Sequence, residues 1–325
     1  MKGFDPQYQD FPNYILKITE EIWEKRGLAT LRRYYSPDIV MRTPMGIIRG
    51  NEAVIDGTLA TIAEFPDRQL LGEDVIWSGD EEMGFLSSHR VLSIGTHTGS
   101  GVFGPPTNRR VAVRAIADCA AKNNVICDEW LTRDSSAIAL QLGLEPTSYA
   151  RSIIEREGGV QSAQRPFTPE IDIPGPYLSR GNTNSWGQRL ADILQQIMLK
   201  DLAVIEREYD RAVRVEHPGL CIGWGRSIAD NAWLRLRSAF PSAQFKVHHV
   251  IGREDPNQPI RAAVRWSLSG AHDGFGSYGA PTGAPVYIMG ITHSEWGPWG
   301  VRREFTVYDE IAIWKQIHLH TGSYD

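Results

Sequence analysis

Positions 95–141 and 270–316 carry one pattern written twice, 175 residues apart. Gly95, His97, Gly99, Gly101, Gly104, Pro106 and Thr107 fall on Gly270, His272, Gly274, Gly276, Gly279, Pro281 and Thr282. Glu129, Asp134, Ala137, Ile138 and Gln141 fall on Glu304, Asp309, Ala312, Ile313 and Gln316, with no gap. A repeat constrains architecture before any single residue is interpreted. This period far exceeds the roughly 20–50 residues of a solenoid unit, so each copy can hold its own core. The chain is expected to form two tandem domains, 1–145 and 186–325. A linker rich in Pro, Gly, Ser and Asn joins them over 146–185.

Each copy reads helices first and strands after. Ile15, Ile18, Ile22 and Trp23 recur at helical spacing, with a break at Gly27. A short strand or hairpin follows over 36–50. A second helix is expected over 53–64, closed by Phe65-Pro66. Strands are expected over 69–77, 83–98, 110–120 and 126–132. The second copy repeats the order, with one long helical pattern over 186–209 and Phe240-Pro241 on Phe65-Pro66. This order indicates an α+β fold in which N-terminal helices pack on one face of a curved antiparallel sheet.

Composition narrows the function classes. A net charge of -5 without blocks of one sign argues against a nucleic-acid binder. No apolar run approaches the roughly 20 residues of a membrane span, and the start lacks the apolar stretch of a secretory signal. Cys119, Cys127 and Cys221 form no CxxC pair, which fits reduced thiols in a cytoplasm. His318 and His320 have no carboxylate or cysteine at fixed spacing, so no metal site is expected.

The segment Gly95-Thr-His97-Thr-Gly99, then Gly104-Pro-Pro-Thr-Asn-Arg-Arg-Val111, then Trp130, Asp134 and Gln141-Leu142-Gly143 resembles the signature of SnoaL-like polyketide cyclases. The second copy keeps Gly270-Ala-His272-Asp-Gly274 and Asp309, with Phe305 at the Trp position and Ala284-Pro285 at the two arginines. The resemblance implies two NTF2-like (cystatin-like) cones, each with an apolar pocket between helices and sheet. It implies a cofactor-independent cyclase or aldolase-type enzyme acting on a small, mostly apolar carbonyl compound. Carried over residue by residue, Asp134 and Asp309 are the acid/base candidates, with His97 and His272 as their partners. Copies of this fold commonly pair through their sheets, so an intramolecular pseudo-dimer, and a homodimer of whole chains, are expected.

Strand parity supplies a second argument. Trp130, Thr132 and Asp134 share a face if the strand continues, as do Phe305, Val307 and Asp309, and Trp266 with His272. Trp130, Thr132, Phe305 and Trp266 are therefore candidate substrate contacts. A carboxylate beside an aromatic in an apolar cavity is a raised-pKa acid/base. Glu129 and Glu304 fall on the opposite parity, where an outer ion pair is expected. Plainer roles stand beside these: turn chemistry for the glycines, backbone bonding for the histidines, and helix N-capping for both aspartates. Gln141 and Gln316 read as structural. A lyase, isomerase or hydrolase on the same fold, or a non-catalytic binding or assembly protein, are the alternatives. Aspartates facing an open pocket would mark an enzyme; aspartates capping helices over a filled cavity would mark a binding protein.

Overall fold

The computed structural model describes residues 1–322. Two compact units emerge: 1–144 with 167–179, and 145–166 with 180 onward.

In the first unit, α1 (Phe11–Thr19) is capped by Asp10, which accepts from Asn13 N at 2.7 Å. A wider π turn over Glu20–Glu24 extends it, and the chain reverses at Arg26, φ 58°. Then come α2 (Leu31–Tyr34), β1 (Tyr35–Thr43), β2 (Gly46–Arg49), α3 (Asn51–Glu64), β3 (Gln69–Asp80), β4 (Gly84–Thr96), β5 (Arg110–Lys122), β6 (Val125–Arg133) and α4 (Ser135–Leu142). The sheet order is β2-β1-β6-β5-β4-β3. All neighbours are antiparallel except β1 and β6, which run parallel, so the sheet is mixed rather than purely antiparallel.

The second unit begins with α5 (Pro146–Arg156), inside the expected linker, followed by α6 (Ser185–Met198) and α7 (Ala203–Glu208). Next come β7 (Tyr209–His217), β8 (Cys221–Trp224), α8 (Arg226–Ala239), β9 (Gln244–Arg253), β10 (Ile260–Ala271), β11 (Pro285–Gly297), β12 (Gly300–Tyr308) and α9 (Glu310–Thr321). Its sheet order, β8-β7-β12-β11-β10-β9, repeats the first. Register repeats too: Ala115 faces Arg133, and Gly290 faces Tyr308. The fold is α+β, with one topology used twice in tandem. No helix among the described residues is long and apolar enough to cross a membrane.

The helical pattern over 186–209 is broken into α6 and α7. Lys200 takes φ 74°, as Arg26 takes φ 58° at the matching place in the first copy. The break therefore belongs to the fold rather than to Gly27. The helix must turn back so that the next strand can enter the sheet.

Sequence identities at the turns have local causes. Gly50 and Gly225 stand at φ 82° and 94°, where the chain enters α3 and α8. A side chain would strain that conformation. At Gly99 and Gly274 a Cβ would collide with the carbonyl oxygens of Ala63 and Ser238, so the loop can lie directly on the end of the preceding helix.

In the first unit, Phe4, Phe11, Tyr14, Trp77 and Phe85 pack edge-on and stacked at one end of the concave face. In the second, Trp233, Trp266, Phe245 and Tyr308 pack with ring centroids 5.8–6.1 Å apart within a continuous apolar core. Full burial of each such side chain stabilises by roughly 1.5–3 kcal/mol.

Candidate functional site

Asp134 and Asp309 sit where β6 and β12 end, and both are helix N-caps. Asp134 accepts from Ala137 N at 2.9 Å and Ser136 Oγ at 2.8 Å; Asp309 accepts from Ile311 N at 2.9 Å. The strand does not continue through Asp134 (φ -80°, ψ 80°), so strand parity ends before it. A cap satisfies N–H groups that the first helical turn leaves open. Replacing Asp134 by alanine is expected to cost about 1 kcal/mol, while asparagine, an equally good cap, costs little. Urea unfolding of the two variants checks this.

His97 and His272 are fully buried and organise their loops. His97 Nδ1 accepts from Thr107 N at 3.3 Å and lies 3.1 Å from Thr107 Oγ1. This arrangement assigns the ring proton to Nε2. His272 Nδ1 lies 3.0 Å from Thr282 Oγ1 in the same way. The His-to-Thr spacing of the motif is thus a cross-loop tie. The two rings differ at Nε2. His97 Nε2 lies 3.2 Å from Glu64 Oε1, within ion-pair range though off the hydrogen-bonding axis. The position matching Glu64 is Ala239, and His272 Nε2 is buried without a hydrogen-bond partner among the described residues.

The two faces of β6 are used the other way round from the expectation. Glu129 lies on the helix side, buried and hydrogen-bonded with Tyr35 and Cys119 of the core. Burial raises its carboxyl to about 7, against the lowering effect of Tyr35 and Cys119. Trp130 lies on the opposite face, under the Arg42 guanidinium at 4.6 Å. There Arg42 also binds Asp128 and Asp172, each at 2.5 Å. Thr132 shares the parity of Trp130. An aromatic residue marked a covered face, but the covering is Arg42 with the 167–179 segment, not a pocket.

The second copy repeats the inward glutamate. Glu304 accepts from the Tyr209 hydroxyl, lies 2.5 Å from His217 Nε2, and accepts from Thr306 Oγ1 at 3.0 Å. Burial alone would raise its carboxyl; His217, Tyr209 and Thr306 together hold it below the ordinary carboxylate value. The outer ion pair expected for Glu129 and Glu304 is therefore not what forms. Phe305 shares the outward parity of Trp130, while Trp266 is buried in the core and donates to Thr292 Oγ1 at 3.0 Å. Gln141 and Gln316 tie their helices to Ala112 and Tyr287 of the adjacent strands. Arg109 and Arg110 are exposed. Among the described residues no group of three or more His, Cys, Asp or Glu side chains could hold a metal ion.

A partly open pocket with about 40 Å³ of internal space lies at the end of the first sheet opposite the aromatic cluster. Its walls are Phe65, Phe103, Val111, Val113 and Ile138, and its polar groups are Thr61, Glu64, Arg68, Ser93 and Arg133. Glu64 comes from the last turn of α3, Arg68 from just before β3, and Arg133 from the end of β6. Glu64 Oε1 accepts from Phe103 N at 2.7 Å as well as facing His97. Arg68 Nε donates to Ser93 Oγ at 2.9 Å. Burial, then the neighbouring Arg133 charge, push the Arg68 guanidinium down to about 9.

In the second unit the matching positions are Ala239, Ala243, Leu268 and Tyr308 for Glu64, Arg68, Ser93 and Arg133. Trp266 and Tyr308 pack together in this region, 6.1 Å apart. Phe65, Gly95, Val111 and Ile138 of the pocket recur in the second copy. Its polar residues Thr61, Glu64, Arg68, Ser93 and Arg133 stand among the differences between the copies, where the repeat gives no signal.

Residues 13–142 match the family model described as SnoaL-like polyketide cyclase. The matched stretch lies within the first unit. Every residue lining the pocket lies inside that SnoaL-like stretch. No curated protein matches the chain. Similar solved structures include IdmH from Streptomyces antibioticus, at 25% identity and TM-score 0.36, covering 41% of this chain and 98% of that one. TsrD from Streptomyces laurentii has 18% identity and TM-score 0.37, covering 42% and 100%. A SnoaL-like polyketide cyclase from Agrobacterium tumefaciens C58 has 19% identity and TM-score 0.31, covering 39% and 94%.

Proposed function

We propose that the first SnoaL-like domain is a cyclase-type enzyme that acts by proton transfer on a small carbonyl compound, with Glu64 as its acid–base group. The observation that carries this reading is the pocket itself: a carboxylate, a buried histidine behind it, and a cationic rim among apolar walls. Asp134 is engaged as a helix cap, so the acid–base role moves from it to Glu64. In the proposed reaction, the Glu64 carboxylate takes a proton from the carbon beside a carbonyl. The electron pair shifts to the carbonyl oxygen, and the resulting enolate lies in the positive field of Arg68 and Arg133. The enolate carbon adds to a second carbonyl of the same molecule. The new alkoxide recovers the proton from Glu64, so atoms balance with no oxidant and no leaving group. Phe103 N, which donates to Oε1, holds the carboxylate, and His97 lies behind it with Nε2 at 3.2 Å.

A different role fits the second unit. Trp233, Trp266 and Tyr308 pack in its core, and Ala239 stands in place of Glu64. We read it as a non-catalytic copy.

Deuterium uptake in D2O at the activated carbon of a panel of aryl ketones and β-keto esters, followed by NMR, tests the assignment. Glu64→Gln is expected to lower the enzymatic exchange rate about 100-fold or more, and Asp134→Asn to leave most of it. Exchange that survives in Glu64→Gln and disappears in a folded Asp134→Asn would return the role to Asp134.

A further inference from the structure

We infer that the pocket of the first unit receives the carboxylate of an acidic ligand at the paired guanidiniums of Arg68 and Arg133. This inference rests on the reading of that pocket as the substrate site, and it adds the ligand's fixed charge. Arg68 is held by its Nε bond to Ser93 and by its backbone bond to Phe65 O at 3.0 Å. Its two Nη nitrogens have no acceptor among the described residues. The one charged neighbour that shifts it is Arg133, which has the same sign. A guanidinium does not escape this by losing its proton; it stays charged. Glu64 lines the same pocket, and its Oε1 is engaged by Phe103 N beside His97. The open Nη groups of Arg68 thus present positive charge to the pocket before any enolate forms. A planar carboxylate meets such N–H groups with short, charge-assisted bonds. Phe65, Phe103, Val113 and Ile138 offer an apolar seat for the rest of the ligand.

The second copy serves as an internal control. It keeps the strands and their register, yet carries Ala243 and Tyr308 at the two arginine positions. The cone folds without this charge pair, so the pair is not required by the architecture. Both arginines are absent together from the copy that also lacks Glu64.

The test is binding of benzoylacetate, its ethyl ester and inorganic phosphate to the full chain, read from amide NMR shifts of Gly95, Gly101 and Val113. Benzoylacetate is expected to bind about tenfold or more tighter than the neutral ester, with the difference shrinking as salt is added. Arg68→Ala and Arg133→Tyr, which place the second copy's residues in the first, are expected to abolish that preference. Arg68→Lys, which keeps charge without the planar fork, is expected to retain part of it. Equal affinity for acid and ester, a preference unchanged in Arg68→Ala, tighter binding of phosphate than of benzoylacetate, or no shift at these residues would each overturn the inference. Glu64→Gln separates the two readings. Loss of exchange with acid binding retained supports both; exchange retained with acid preference retained removes the catalytic assignment alone.

Discussion

Replacing Arg42 by alanine is expected to remove about 3–5 kcal/mol from the unfolding free energy of the first unit. The Arg42 side chain is 2% exposed and bridges Asp128, itself 1% exposed, to Asp172 of the 167–179 segment. It also donates to the backbone oxygen of Ile173 and stacks on Trp130. Truncation leaves the Asp128 carboxylate deprived of its cation inside the protein, and a buried unpaired charge is far costlier than the pair it came from. Two measurements check this. Urea unfolding should show the loss, and limited proteolysis should show faster cleavage within 167–179, because Asp172 and Ile173 lose their anchor. Arg42→Met combined with Asp128→Leu should recover much of the stability, since apolar replacement of both partners removes the stranded charge. A loss below about 1 kcal/mol in Arg42→Ala would mean the bridge contributes no more than an exposed pair.

The second large effect is on pH dependence. Burial raises Glu129 from 4.5 to about 7. For a raised carboxyl, the contribution to stability is complete below the unfolded value and is lost as pH rises through the folded one. Between pH 4.5 and about 7 the unfolded chain releases this proton while the native state keeps it. The shift amounts to about 3 kcal/mol less stability at pH 8 than at pH 4 from this group. His89 acts in the opposite sense. Burial lowers it from 6.5 to about 4, so its contribution is complete above 6.5 and fades as pH falls through about 4. The wild-type curve therefore combines two opposed slopes. Glu129→Gln removes one of them, and its stability relative to wild type is expected to rise by about 3 kcal/mol between pH 4 and pH 8. Urea midpoints across that range measure it. A difference between the two proteins that is flat with pH would show that Glu129 ionises normally in the fold.

Much of the fold was legible because its signals are local. Gly50 and Gly225 are demanded by backbone angles, and Gly99 and Gly274 by contact with the helix behind them. Asp134 and Asp309 follow from the open N–H groups of a helix start. His97 and His272 reach a threonine ten positions on in the same loop. Each of these needs only a short stretch of chain. The functional candidates were harder to see because Glu64, Arg68 and Arg133 come from a helix end, a strand entry and a strand exit. Their convergence depends on the curvature of the sheet. Parity correctly separated Glu129 from Trp130, since alternation is a property of any strand. It could not say which side faced the helices, because Arg42 and the 167–179 segment cover the outer face nearly as well as a core does.

The repeat by itself determined two tandem domains of one topology, along with their turn glycines. A shared backbone geometry imposes the same residues wherever it recurs. What only the tertiary structure decided is that the two interiors are unlike. One brings a carboxylate and two guanidiniums to a single pocket; the other places Ala239, Ala243 and Tyr308 at those positions, with Trp266 and Tyr308 packed in its core. Side-chain volume and charge are summed in three dimensions, over residues far apart in the chain.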